Sequence, residues 1–302
     1  MHRRESGCRA VPCQQCLPAF LCFADRGWSS NPMESIRLPG LPLLRAYAKT
    51  ASMAATAQFS DGLLAGIELL LRLGRVLILL ALWRAVLGDQ GEANGLTTAA
   101  LLTYALIGEV FADQLLVRTD LSSVIWEGTI ATRLLWPIGL VSLFLSDAIG
   151  RWCFGWLLFS LPVLLLAPFI GVDPRPASIA HGGLFIVSLV LAIAVGVAIE
   201  FIFAALVFIF EQPVWMLDAI RRAITLLLSG QVLPLALMPW GIGEVFAWLP
   251  FASMASAPLQ MFVGAGDPVR LLLIQVFWAI ALWPLAQWLW IVGREKTVGY
   301  GG

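Results

Sequence analysis

Charge is scarce in this chain. Aspartate, glutamate, lysine and arginine make up 13% of its 302 residues, where soluble domains hold about 25%. There are only two lysines, Lys49 and Lys296, and neither sits in a G-x-x-x-x-G-K-[ST] run, which excludes a nucleotide-binding loop of that type. With His2 and His181 as the only histidines, the membrane domain can assemble neither a histidine-based triad nor a multi-histidine metal site. The formal net charge is zero and no basic run is interleaved with aromatics, so nucleic acid is set aside as a partner.

Cysteine is confined almost entirely to the amino-terminal end. Cys8, Cys13, Cys16 and Cys22 follow a C-x4-C-x2-C-x5-C spacing that is not a standard zinc pattern, with His2 the one histidine nearby. The apolar core of this segment, LPAFLCF, is short and interrupted by a proline, unlike a signal peptide. Residues 1–32 are therefore expected to be an extension outside the folded part, disordered or preceding a true start at Met33 or Met53, with no metal.

What the chain has in excess is apolar length. Hydrophobic residues reach 60%, against the ~45–50% of soluble domains. A bilayer core of about 30 Å takes about 20 apolar residues of helix to cross. Only helices or closed barrels satisfy their backbone there, and runs this long exclude a barrel. Spans are expected at about 63–88, 97–117, 139–170, 183–210, 223–238 and 269–292. The fold class is thus all-α: a polytopic membrane protein with six transmembrane helices, comprising residues 61–302. Several of the thirteen tryptophans, among them Trp83, Trp126, Trp136, Trp240, Trp283 and Trp290, stand near span ends, as an interfacial aromatic belt requires.

Residues 33–60 are expected to contain a helix lying on the cytoplasmic surface, since the stretch LPLLRAYAKTASMAATAQ is mildly amphipathic and carries Arg45 and Lys49. Loops rich in arginine and lysine stay in the cytoplasm. Arg118, Arg133, Arg151, Arg221 and Arg222 flank the loops after spans two and four, and Arg294 and Lys296 lie in the tail. Both termini are accordingly expected in the cytoplasm. The fifth apolar stretch contains Gly230, Pro234, Pro239, Pro250 and Pro258. Because proline removes a backbone donor and clashes with the preceding turn, one straight helix cannot run through it. A short span breaking near Pro234 to Pro239 is expected, followed by one or two helical pieces dipping into the outer leaflet.

Charges inside the spans are costly and must face protein or water. Glu68 and Arg72, and again Asp147 and Arg151, are four apart with the acid first, so each pair can meet along one helix face. Glu109 and Asp113 share that spacing and form a candidate carboxylate pair, although a solvated face is the simpler reading. Arg75 and Glu200 have no such neighbour on their own helix. Glu200 is open to a functional role, whereas Arg72 and Arg75 can also snorkel to the surface along their stems.

The segment after span two, DLSSVIWEGTIATRLLWPIG, holds Gly128, Thr129, Ile130, Leu134, Leu135 and Pro137, and span five adds Ser229, Gly230, Pro234 and Leu235, then Leu249, Pro250 and Phe251. Together with the terminal VGYGG, this ordered set resembles the type 2 permeases of ATP-binding-cassette exporters, in a six-span branch, over residues 41–302. Trp136 departs from the arginine more usual before the proline, and span one is unusually polar.

The resemblance implies a permease subunit of the bacterial cytoplasmic (inner) membrane that pairs with a second permease in a homodimer or heterodimer. A separate ABC ATPase subunit would bind ATP and Mg, so this chain needs no cofactor and is no enzyme. It further implies ATPase coupling through Trp126, Glu127, Gly128, Ile130 and Arg133, and an outer gate at Gly230, Pro234 and Pro239. The residues alone point the same way, since a six-span chain with no nucleotide motif needs a partner to supply energy. Two readings stand beside it: a proton-coupled secondary transporter using Glu200 and Glu109, and an enzyme acting on lipid through carboxylates alone.

Overall fold

A computed structural model describes residues 40–300 except 61, 88–91, 94, 95, 120 and 135–138. The four amino-terminal cysteines, Trp136 and Pro137 therefore lie outside the described residues. The regular structure of the described residues is helical apart from a two-residue antiparallel pairing of β1 (Glu92–Ala93) with β2 (Leu96–Thr97).

The helices in order are α1 (Gly40–Ser60), α2 (Gly62–Leu87), α3 (Thr98–Val110), α4 (Ala112–Leu115), α5 (Leu121–Trp126), α6 (Ile130–Leu134) and α7 (Leu140–Gly155). A π-helical turn, Trp156–Ser160, carries α7 into α8 (Leu161–Leu166), which tightens into a 3₁₀ turn at Ala167–Ile170. Then come α9 (Ile179–Phe210), α10 (Val214–Leu228), α11 (Ile242–Ala247), α12 (Ser256–Val263) and α13 (Pro268–Tyr300).

Among the described residues three helices are long and apolar enough to cross a membrane: Leu140–Ile170, Ile179–Phe210 and Pro268–Gly293. Helix α2 has the length, but Glu68, Arg72, Arg75 and Arg84 interrupt its apolar run. The expected second span, 97–117, is not one helix. It breaks at Phe111, and Ser160 in the π-helical turn donates to the Val110 carbonyl at 2.8 Å, satisfying an acceptor that the helix end exposes. The expected fifth span is displaced. Its helix, α10, begins at Val214 and ends at Leu228, so the break falls at Ser229 and Gly230 instead of Pro234 to Pro239.

That break has a steric cause. Gly230 has φ +74°, and a Cβ there would stand 2.8 Å from Leu235 Cγ and 3.1 Å from Ser256 Cβ, so only glycine meets both conditions. Its carbonyl accepts from the buried Tyr104 hydroxyl at 2.7 Å, and the Ser229 carbonyl accepts from Ser256 N–H at 2.9 Å. Beyond it, Leu235–Leu237 and Pro239–Gly241 are 3₁₀ turns leading to α11 and α12.

Three apolar clusters hold the helices together. Val76, Leu80, Trp83, Leu106, Phe159 and Val163 join α2, α3 and the α7–α8 rod. Val117, Leu121, Val124, Phe144, Val195, Ile199 and Leu282 join α5, α7, α9 and α13. Tyr104, Ile107, Phe185, Leu259 and Phe262 join α3, α9 and α12. The opposite faces are also apolar: Leu70, Leu71, Ile78 and Leu82 on α2 and Leu273, Phe277 and Ile280 on α13 are exposed, which suits lipid as the surrounding solvent.

Lipid tails are as apolar as leucine, so helices in a bilayer associate through close packing at small residues and through interhelical hydrogen bonds. Both devices are present. Gln275 of α13 accepts from the Ser188 hydroxyl of α9 at 2.8 Å and donates to the Ser188 and Ser253 carbonyls at 3.1 and 2.8 Å. Helix α1 lies so close to α7 that a Cβ on Gly150 would sit 2.0 Å from the Ala51 carbonyl oxygen. Tyr47 and Ser142 hydrogen-bond across the same contact at 3.0 Å.

This packing makes Gly150→Val a selective lesion. The side chain should force α1 off α7, so that the unpartnered helix unwinds and trypsin cuts at the exposed Arg45 and Lys49 faster than in wild type in detergent, with the α9–α13 core left resistant. Cleavage at the wild-type rate would contradict the close contact.

Candidate functional site

Polar chemistry concentrates on one length of chain, residues 109–119, where α3 and α4 run into the approach to α5. Arg72 of α2 donates to both oxygens of Asp113, at 2.6 and 3.0 Å, and also holds Glu68 at 2.8 Å on its own helix. One turn further along α2, Arg75 holds Glu109 at 2.7 Å. The side chain of Glu109 is 4% exposed and that of Arg75 57%. The solvated face expected for Glu109 and Asp113 is thus corrected for Glu109, which is buried, and each carboxylate takes a different arginine of α2 instead of pairing with the other. Arg72 and Arg75 both end on carboxylates across the helix interface, Arg75 with its side chain still more than half exposed. The Glu68–Arg72 and Asp147–Arg151 pairs, the second at 2.5 Å, are both formed.

Glu200, at 2% exposure on α9, reaches the same length of chain. Both its carboxylate oxygens accept from the Thr119 backbone N–H, at 2.9 and 3.0 Å. Arg221 of α10, itself buried, donates to the Val117 carbonyl at 3.3 Å and is held by Asp218 at 2.8 Å. The sequence shows no i, i+4 partner for Arg75 or Glu200 because their partners lie 34 and 81 residues away. Glu109 and Glu200 do not meet: Glu109 lines a cavity with Arg72 and Gln231, whereas Glu200 lines a narrow cleft with Phe203, Leu217 and Arg221.

This anchored stretch leads into a helical elbow whose inner face, Leu121 and Val124, is packed in the core. Helix α5 ends at Trp126, the chain turns through Glu127, Gly128 and Thr129, and α6 starts at Ile130. Gly128 has φ +70° with nothing within 4 Å of a would-be Cβ, so conformation and not crowding selects glycine here. The turn is closed by the Gly128 and Thr129 N–H groups donating to the Ile125 and Val124 carbonyls at 3.1 Å each. Trp126 is 67% exposed, Glu127 is exposed, and Ile130 and Arg133 are half-buried.

The other candidate residues, Gly230, Pro234 and Pro239, lie on the chain between α10 and α11. Gly230 is buried against α3 through Tyr104, while Trp240, next to Pro239, is 91% exposed. Sequence reasoning missed Tyr104, Gln231 and Arg118. Gln231 donates to the Gly108 carbonyl at 2.9 Å, which pins the break after α10 to α3. A lone glutamine or tyrosine in an apolar stretch was the available signal, since such groups need a partner when buried.

The ion pairs between α2 and α3–α4 are unequal in a way that can be measured. Removing Arg75 strands the buried Glu109 carboxylate, whereas neutralising Glu109 leaves the more exposed Arg75 with other contacts to make. Arg75→Ala should therefore destabilise the purified protein by about 3 kcal/mol and Glu109→Gln by about 1 kcal/mol. The double variant should recover most of the Arg75→Ala loss in thermal unfolding; equal single effects with no recovery would contradict this geometry.

A family model described as an ABC-2 family transporter protein matches residues 73–301, from inside α2 to the end of α13. No curated protein and no solved structure matches the chain. The match takes in the anchored stretch, the elbow, the glycine break and every apolar helix after α2, and the chain belongs to the ABC-2 family of transporter proteins, the membrane permeases of ATP-binding-cassette transporters.

Proposed function

We propose that this chain forms the translocation pathway of an ATP-binding-cassette exporter and receives its energy from a separate ATPase that docks on the elbow of α5 and α6. The observation that carries the reading is the elbow itself, two short helices packed on the core with an exposed tryptophan and an exposed acid at the glycine turn between them. A large aromatic side chain left in the open is a surface feature expected of an interaction site. Trp126, Glu127, Gly128, Ile130 and Arg133 are the contact residues, and ATP and Mg are bound by the partner.

The coupling follows from the connections of the stretch before the elbow. A push on α5 reaches Thr119, Val117, Asp113 and Glu109, and through them Glu200 of α9, Arg221 of α10 and Arg72 and Arg75 of α2. Hydrogen-bonded networks of this kind move between discrete arrangements, which is what alternating access requires. In this reading α2, the α3–α4 pair and α10 complete six passes with the three long helices. Both termini face the cytoplasm, and two permeases face each other with Gly230, Pro234 and Pro239 at the outer gate. The site of action is the bacterial inner membrane.

Proton coupling through Glu200 and Glu109 has less support, because the two line separate cavities and each is engaged by a fixed partner.

The reading is tested on the complex of the chain with its ATPase in liposomes. Trp126→Ala removes exposed contact area, and Gly128→Val forces a β-branched residue into a positive φ. Each should lower ATP hydrolysis by the complex several-fold, Trp126→Ala while the permease melts within about 2 °C of wild type, a shift of about 1 kcal/mol or less, and Gly128→Val with a lower melting temperature from the strained turn, about 1–2 kcal/mol. Trp240→Ala should leave hydrolysis unchanged. Wild-type hydrolysis in both elbow variants would overturn the assignment.

A further inference from the structure

Beside α2 lies a cavity of about 440 Å³ whose wall carries three carboxylates, Glu68, Glu109 and Asp113, and three arginines, Arg72, Arg75 and Arg118. It has room for on the order of ten waters. Its lining runs from Arg118, just before the elbow, to Gln231 and Val232, just after the Gly230 break. The cavity therefore touches both the stretch that anchors the elbow and the chain that breaks after α10.

The charges decide what can fill it. The side chains of Glu68 and Arg75 are 60% and 57% exposed, and Arg118 is exposed as well. Charged groups within spans are tolerated beside protein or water and are costly in hydrocarbon. Lipid chains in this cavity would leave all three in hydrocarbon, whereas water solvates them. The wall is also neutral in sum: Arg72 holds Glu68 and Asp113, Arg75 holds Glu109, and Arg118 supplies the third positive charge. A cleft lined by one sign of charge concentrates solutes of the other. This one has no excess of either sign to offer.

The helices beside it give the cavity a direction. On α2, Leu71 lines it and Leu70 does not, although the two are 69% and 70% exposed. On α10, Leu226 lines it and Leu227 does not, with both more than half exposed. Neighbours on a helix differ in height by only about 1.5 Å and point about 100° apart. Each pair thus samples one depth in two surroundings.

We propose that this cavity is a water-filled vestibule of the transport pathway, contained within one permease, and that the cargo group it admits is polar without net charge, either neutral or zwitterionic. The inference rests on the transport reading and deepens it by naming a cargo class. Water access to the cavity requires neither the ATPase nor transport, so its failure is distinguishable from failure of that reading.

The test uses the full chain in membrane vesicles permeabilised so that reagent reaches both faces, with its five native cysteines, Cys8, Cys13, Cys16, Cys22 and Cys153, replaced by serine. Leu70→Cys, Leu71→Cys, Leu226→Cys and Leu227→Cys are made singly and treated with an anionic (sulfonatoethyl) or a cationic (trimethylammonioethyl) methanethiosulfonate. The thiolate is the reacting form, and apolar surroundings suppress it. Labelling should be at least tenfold faster at position 71 than at 70 and at 226 than at 227. Equal rates within either pair would overturn the vestibule. Relative to their rates with a free thiol in solution, the two reagents should label positions 71 and 226 within about threefold of each other, as a wall of balanced charge requires. A tenfold preference for either sign would overturn the cargo class.

Discussion

A charge placed among apolar helices has to be answered by another polar group, and that constraint organises this molecule. Few charges are available, and the ones inside the helical body converge. Asp113 and Glu109 take arginines from α2, the Thr119 N–H takes the carboxylate of Glu200 on α9, and the Val117 carbonyl takes Arg221 of α10. Three helices, α2 on one side and α9 and α10 far along the chain on the other, are tied to eleven consecutive positions, residues 109–119. Breaking one such tie leaves a desolvated group behind, which costs more than the intact pair contributes.

The same stretch is where regular helix gives way. Helix α3 ends at Val110, α4 is four residues long, and the chain from Leu116 to Thr119 is irregular. Irregular backbone at membrane depth survives only when protein satisfies it, and Ser160, Glu200 and Arg221 do so here. The polar ties thus serve two ends together: they hold the helices in register and they permit the break that leads into the elbow. The π-helical turn at Trp156–Ser160 brings Ser160 to the Val110 carbonyl, so the α7 rod is part of the arrangement.

Much of the fold was legible because apolar length is a local property. The long helices lie where the apolar runs lie, as Ile179–Phe210 shows against the expected 183–210. The Glu68–Arg72 and Asp147–Arg151 pairs were legible because helical spacing alone brings them together. The Arg75 and Glu200 partnerships were not, since their partners are set by tertiary packing. The two misplaced breaks have the same origin. Proline is a visible helix breaker, yet the chain breaks first at Gly230, where glycine takes a positive φ freely and Tyr104 and Ser256 satisfy the Gly230 and Ser229 carbonyls. Phe111 carries no breaking signal at all; the end of α3 depends on Ser160, fifty residues away. At the candidate site Gly128 was legible as a glycine in a polar loop, whereas Arg118 and Gln231 acquire meaning only beside the cavities.

The central claim, that the elbow is where an ATPase meets this permease, is tested most directly by a photo-crosslinking amino acid placed at position 126 and, separately, at position 240. Both positions are exposed tryptophans in the native protein. The account predicts that the probe at 126 captures an ATPase bearing a Walker motif when the membranes are irradiated, and that the probe at 240 does not. Capture from 240 and not from 126 would place the ATPase on the opposite end of the molecule and contradict the account.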